Sequence, residues 1–320
     1  MDIFNNCIRK PEDLITSHEQ TRAGFIEAAL EKNIKAMPYI EEAKSLKTFA
    51  SRAKGPMDLL KMAEIKPGLL TAAGLSDKSL VYFSDADKDE AIKKLIEDFL
   101  KPAGEGFVDE LVYRFLLTRG ETIGGSMRNW VGHVSELKFK RKLLSVFSML
   151  NIKYSLLFKR NKKKNNWTEN CSYENAFNEA EDIDAISWNI EGAGKVLFFN
   201  SIIPVVKKNV DICLYHGTPT SYNSGKLKAC TENAIMFGEL KGGIDPAGAD
   251  EHWKTAKSAL ERIRENFGKQ GIKTSFLGAA IENDMASEIF RQLKNGTLTN
   301  AANFTNNEHI TNYCEWLIKL

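Results

Sequence analysis

Along the first hundred residues, apolar side chains recur every three or four positions. Over 21–53, Phe25, Ala28, Ala29 and Ile34 are followed by Ile40, Ala43, Leu46 and Phe49, a helical period that Pro38 is expected to interrupt. Shorter helical patterns cover 56–64, 66–73 and 87–101. Pro102-Ala103-Gly104 then breaks the chain before another helix over 107–117. After residue 150 the texture changes. Short runs rich in Ile, Val, Phe, Tyr and Trp at 152–159, 185–189, 195–203, 210–216 and 234–241 predict strands. Glu191-Gly192-Ala193-Gly194 predicts a hairpin turn between two of them. An amphipathic helix follows over 250–267, with Trp253, Ala256, Leu260 and Ile263 on one face, then a strand at 273–281 and a helix at 284–293. The expected fold class is α/β (α+β), a mixed sheet flanked by helices with an N-terminal helical domain. The expected division is 1–105 for the helical domain and 106–320 for the core.

Composition changes this picture little. Hydrophobic content of 43% and charged content of 27% are ordinary for a globular protein, and no apolar stretch reaches the length of a membrane span. Residues 1–22 carry four acids and no apolar core, which argues against a secretory signal. The five cysteines are scattered and lack zinc-ligand spacing, so reduced thiols and a cytoplasmic location are expected. Net charge is only +2, but residues 138–164 hold ten Lys/Arg and no Asp or Glu. Such a stretch suits phosphate contact through counterion release, and equally suits a solvated helix face with a lysine-rich loop at 162–166.

Candidate chemistry concentrates at the ends of two predicted strands. In 238–241 (GELK), strand alternation sends Glu239 and Lys241 to one face and Leu240 to the other. Asp211, on a neighbouring strand, can face the same cleft. Two carboxylates with a backbone carbonyl form a hard oxygen site suited to Mg²⁺, an ion that polarises phosphates and acidifies bound water. Lys241 can hold that water or neutralise developing charge. A surface Glu–Lys pair at a strand end would produce the same tripeptide. Downstream, 242–253 (GGIDPAGADEHW) forms a glycine loop in which Asp250 is expected to N-cap a helix. His252, in the first turn, is a candidate proton acceptor, with a structural histidine as its alternative. Asp245 can accept from a cytosine amino group or serve as a turn residue before Pro246. A second segment, 117–129 (LTRGETIGGSMRN), is expected to present Arg119, Ser126 and Arg128 to phosphates on a glycine-rich loop, unless it is a plain interdomain turn.

Four strings carry a family resemblance: TRAGFIEAALEKN (21–33), LLTAAGLSDKSLV (69–81), DELVYRFLLTRGETIGGSMRN (109–129) and GELKGGIDPAGADEHWKTA (238–256). From about residue 15 to the end, the chain resembles the AvaI/BsoBI type II restriction endonucleases. That resemblance implies a PD-(D/E)xK nuclease core joined to a helical domain. It also implies a homodimer that encircles double-stranded DNA and cuts within CYCGRG using Mg²⁺, with a cognate DNA methyltransferase as functional partner. It assigns catalysis to Asp211, Glu239, Lys241 and His252, with Asp211, Glu239 and the Leu240 carbonyl as metal ligands. Val210 stands where the wider superfamily often has proline. Lys78, in the GLSDKS turn, is a candidate for guanine contact, its alternative being a solvated turn lysine. Other readings remain open: a repair or structure-specific nuclease of the same fold, a non-catalytic DNA-binding protein, or a nucleotide-binding regulator that uses 118–129.

Overall fold

The computed structural model describes residues 7–223, 225–268 and 271–320. By internal packing the chain divides into one unit of residues 26–130 and another of residues 1–25 with 131–320. The Pro102-Ala103-Gly104 break falls within 26–130, and a single helix, α4 (Phe107–Met149), starts just beyond it and runs through 130–131.

Unit 26–130 is helical. It holds most of α1 (His18–Ala50), all of α2 (Lys66–Ala72) and α3 (Asp85–Leu95), and the first half of α4. Its core gathers Leu46, Leu59, Leu69, Ile96, Leu111 and Phe115. Pro38 does not interrupt α1, contrary to the sequence expectation. Missing one N–H costs a long helix only locally, and the turns on either side carry it through. The apolar period also overstated the buried face. Ala43, Leu46 and Ala50 are buried, whereas Phe25, Ile26, Leu30, Ile34 and Met37 are exposed.

The second unit is a three-layer α/β sandwich built on one eight-stranded mixed sheet. Its strands are β1 (Tyr154–Phe158), β2 (Thr168–Glu169), β3 (Ile183–Ile190), β4 (Ala193–Ile203), β5 (Lys208–His216), β6 (Ala234–Lys241), β7 (Lys273–Gly278) and β8 (Asn300–Asn303). They lie in the order β2-β1-β3-β4-β5-β6-β7-β8. Pairings are antiparallel from β2 to β6, then parallel through β7 and β8. The β3–β4 turn is two residues long, Ile190 pairing with Ala193. Both turn residues have positive φ, 52° at Glu191 and 84° at Gly192, the sense that matches strand twist.

Period-two alternation assigns the two faces. Phe198, Cys213, Phe237 and Phe276 pack beneath α7 (Ala249–Phe267) and α8 (Asn283–Lys294). Leu197, Ile212, Met236 and Leu277 pack with the last turns of α4 and with α9 (Asn307–Lys319). The strand NAAN of β8 gave no sequence signal, because Asn and Ala are poor strand formers. Its pairing with β7 and its full burial supply what propensity does not. Among the described residues, no helix is long and apolar enough to cross a membrane.

Candidate active site

β5 and β6 run antiparallel, with Ile212 opposite Gly238 as the last ladder pair before the end of β6. Beyond it, Asp211 replaces backbone pairing with a side-chain contact: the Leu240 N–H donates to Asp211 Oδ2 at 2.8 Å. The N–H and C=O of one strand residue leave the strand on the same side, so the Leu240 carbonyl also faces the Asp211 strand. The Leu240 side chain turns to the opposite sheet face, against the α4/α9 layer. Glu239 and Lys241 share the other face. Lys241 Nζ lies 2.7 Å from Glu239 Oε2 and 3.5 Å from Asp211 Oδ2.

Burial makes this cluster electrostatically tense. Glu239 is 4% exposed. Its removal from water, with Asp211 beside it, pushes its carboxyl up to about 7 despite the opposing pull of Lys241. Lys241 is drawn down by burial, but Glu239 and Asp211 outweigh that and raise it above its ordinary value. Two carboxylates thus share one ammonium, leaving a deficit of positive charge where oxygen donors converge. Among the described residues no group of three or more His, Cys, Asp and Glu forms a metal cluster. Two carboxylates and a carbonyl nevertheless make a hard-oxygen donor set that a divalent cation would neutralise.

The loop after β6 is fitted by contact. A Cβ on Gly242 would fall 1.7 Å from Ser135 Oγ, and one on Gly243 would fall 2.4 Å from His252 Cε1. The His252 ring therefore lies against the backbone two residues past Lys241. From the other side, α1 crosses this loop at Gly24, where a Cβ would meet Ile244 Cγ1 at 2.4 Å. Thr16 secures the neighbouring strand ends, donating to the Ala279 carbonyl at 2.8 Å and accepting from Ile281 N at 3.0 Å. Ala279 N in turn donates to the Lys241 carbonyl at 2.9 Å. The reactive cluster thus sits by the carboxyl ends of the parallel strands, where open α/β sheets bind ligands.

The sequence-predicted residues fare differently. Asp211, Glu239, Lys241 and the Leu240 backbone come together, with His252 on the adjoining loop. Asp245 accepts from Ala247 N at 3.0 Å and caps the short turn Pro246–Gly248. That turn shifts the helix start, so the N-cap of α7 is Gly248 rather than Asp250, which instead pairs with Lys254 in the first turn. Residues 117–129 are not a loop. They are helical within α4. Glycines weaken a helix by about 1 kcal/mol each, but the strong helical patterns on both sides carry the chain through. Ser126 Oγ donates back to the Ile123 carbonyl at 2.8 Å. Arg119 is mostly buried, paired with Asp77 at 2.9 Å and Glu42 at 3.5 Å, and stacked near Tyr39 and Phe115. Lys78 is exposed on its turn, and the side chain of Arg128 lies outside the described residues. Gly242, Gly243 and Ser135 escaped sequence reasoning as site-shaping residues. The signal was the glycine pair directly after Lys241, whose meaning depended on what would press against it.

Residues 4–320 match the family model described as Restriction endonuclease BsobI. The chain is similar to the type II restriction enzyme BsoBI of Geobacillus stearothermophilus, 47% identical over 99% of this chain and 98% of that one. It is also similar to the type II restriction enzyme AvaI of Nostoc sp., 46% identical over 98% of each chain.

Proposed function

Given that the chain belongs to the restriction endonuclease BsobI family, we propose that it is a type II restriction endonuclease of PD-(D/E)xK type acting with Mg²⁺ on double-stranded DNA at CYCGRG. The observation that carries this reading is the convergence of Asp211, Glu239 and Lys241, in which a buried carboxylate is held without enough positive charge. Asp211, Glu239 and the Leu240 carbonyl would hold the ion. When bound, it supplies phosphate polarisation and acidification of a coordinated water.

The chain's own groups do the rest. Lys241 pairs with both carboxylates and neutralises charge that grows on the phosphate oxygens. His252, steadied against Gly243, accepts the proton of the attacking water. Asp245 and Lys78 are assigned to base edges and Arg119, Ser126 and Arg128 to the phosphate backbone. For Arg119 this requires exchange of its acidic partners for phosphate. A homodimer fits a palindromic target, since two sites related by a twofold axis cut both strands. The apolar residues that α1 exposes are the kind of surface such an assembly covers. A methyltransferase of the same specificity and a cytoplasmic location complete the reading.

Digestion of phage DNA of known sequence with Mg²⁺, followed by sequencing of the ends, tests it. Discrete fragments whose ends all map to CYCGRG are expected. Smearing, cutting only at branched structures, or inactivity that Glu239→Ala leaves unaltered would overturn it.

A further inference from the structure

The basic stretch 138–164 has two fates in the fold. In its later part Arg160 pairs with Glu179 and Asp182, and Lys162 with Asp184 at 2.7 Å. In its earlier part Lys138 lies one helical turn from Arg141 and Lys142 on α4, and the three line a cavity of about 350 Å³. Lys140, on the other side of the helix, is buried against Glu136 and the Ile183 carbonyl.

The cavity wall is unusual in charge and shape. Among the described residues it includes Tyr173, Phe177 and Phe304 but no Asp or Glu. Arg141 is held by groups that leave its charge uncancelled: Nε donates to the Phe177 carbonyl at 3.3 Å, and the guanidinium lies 4.7 Å from the centre of the Phe177 ring. Among the described residues neither Arg141 nor Lys142 forms an ion pair. Tyr173 is 41% exposed and its ring lies 5.7 Å from that of Phe177. Clustered like charges around a concavity call for a counter-anion. Exposed aromatic faces accept a flat ring, and the volume falls in the range of small-molecule sites.

We propose that this cavity is a second binding site, taking a nucleoside phosphate with its phosphate on Arg141 and Lys142 and its base against Tyr173. The ligand has two possible sources, a free nucleotide or a nucleotide unit of DNA outside the cleaved sequence. Neither requires cleavage, so the site is tested in EDTA on the full chain. Thymidine 5′-monophosphate, thymidine and inorganic phosphate are titrated calorimetrically into the wild type, Arg141→Gln/Lys142→Gln, Tyr173→Ala and a control, Lys164→Gln. Duplexes with short and long flanks are titrated in parallel across a salt series, and melting curves confirm that each variant is folded.

A free-nucleotide source predicts that the monophosphate binds more tightly than thymidine or phosphate. The double variant then weakens it at least about 10-fold, Tyr173→Ala weakens it less, and Lys164→Gln has no effect. A DNA source predicts no binding of the free nucleotide. Instead the double variant lowers affinity for long-flank duplexes alone and reduces their salt slope by about 1 to 2. The proposal is overturned if the monophosphate does not bind and the folded double variant matches wild type on both duplexes at every salt concentration. The same holds if Lys164→Gln loses as much as the double variant.

Discussion

Leu240 gives its backbone N–H to the carboxylate of Asp211 across the gap where the β5–β6 ladder stops. That bond sets the strand bearing Glu239 and Lys241 at a fixed height against Asp211. It also turns the Leu240 carbonyl toward the same cleft, so one peptide group aligns the whole cluster. Asp211→Ala would lose an oxygen donor and free the strand end, while Asp211→Asn keeps shape and removes charge. Both variants should lose at least about 10³-fold in single-turnover cleavage, with Asp211→Asn melting closer to wild type. Equal melting temperatures would show that the Leu240 bond does not organise the strand.

The raised Glu239 carboxyl gives the metal-free protein a pH dependence of definite sign. A carboxyl whose folded value is above its unfolded value stabilises the fold most below about 4.5, and this contribution is lost as pH rises through about 7. Between pH 5 and 8 the wild type should therefore lose stability relative to Glu239→Gln, by at most about 3 kcal/mol. Added Ca²⁺ should flatten the difference. Urea titrations of both proteins in EDTA check this, and parallel pH profiles would refute it.

Among the described residues Lys241 is the cation that faces both carboxylates. Lys241→Met should reduce cleavage at least about 10³-fold. It should also raise the apparent Glu239 value further, shifting the pH profile of metal-free stability upward. Retention of duplex affinity in Ca²⁺ separates this from a recognition role. Lost affinity with normal cleavage of bound DNA would reverse the assignment.

His252 can be probed without touching it. Gly243→Ala puts a methyl 2.4 Å from His252 Cε1, so the ring must move. His252→Ala is expected to slow single-turnover cleavage by about 10² to 10⁴-fold, and Gly243→Ala by a smaller factor, with duplex binding in Ca²⁺ preserved in both. Normal turnover in His252→Ala would remove the general-base role. Normal turnover in Gly243→Ala would show that the ring's seat is immaterial.

Gly242 approaches Ser135 so closely that a methyl would overlap its hydroxyl at 1.7 Å. Gly242→Ala should destabilise the protein by about 1–3 kcal/mol. Ser135→Gly in the same chain should restore much of that, a non-additivity readable by denaturant unfolding. Additive losses would place the strain elsewhere.

Arg119 gains partners in the helical unit that the sequence did not foresee. Arg119→Gln should cost about 1–2 kcal/mol of stability by loss of its ion pairs with Asp77 and Glu42 and its stacking near Phe115. Unchanged stability with weaker duplex binding would instead support the phosphate contact alone.

What the sequence determined by itself was local and periodic. Alternation in 195–203 and 210–216, the Glu191-Gly192 turn and the apolar stripe of 250–267 each encode their element within a few residues, and the structure reproduces them. The GELK string likewise revealed which side chains share a face, because strand parity needs no tertiary information. Only the tertiary structure decided the remainder. Residues 117–129 look like a loop because glycine lowers helix propensity, yet neighbouring helix on both sides costs less to continue than to break. β8 exists because β7 offers it an edge, not because Asn and Ala prefer strands. The charge deficit at Glu239, the seat of His252 on Gly243 and the split fate of the basic stretch all depend on groups distant in sequence. Burial and electrostatic fields arise from the packed whole, so no single segment could have announced them.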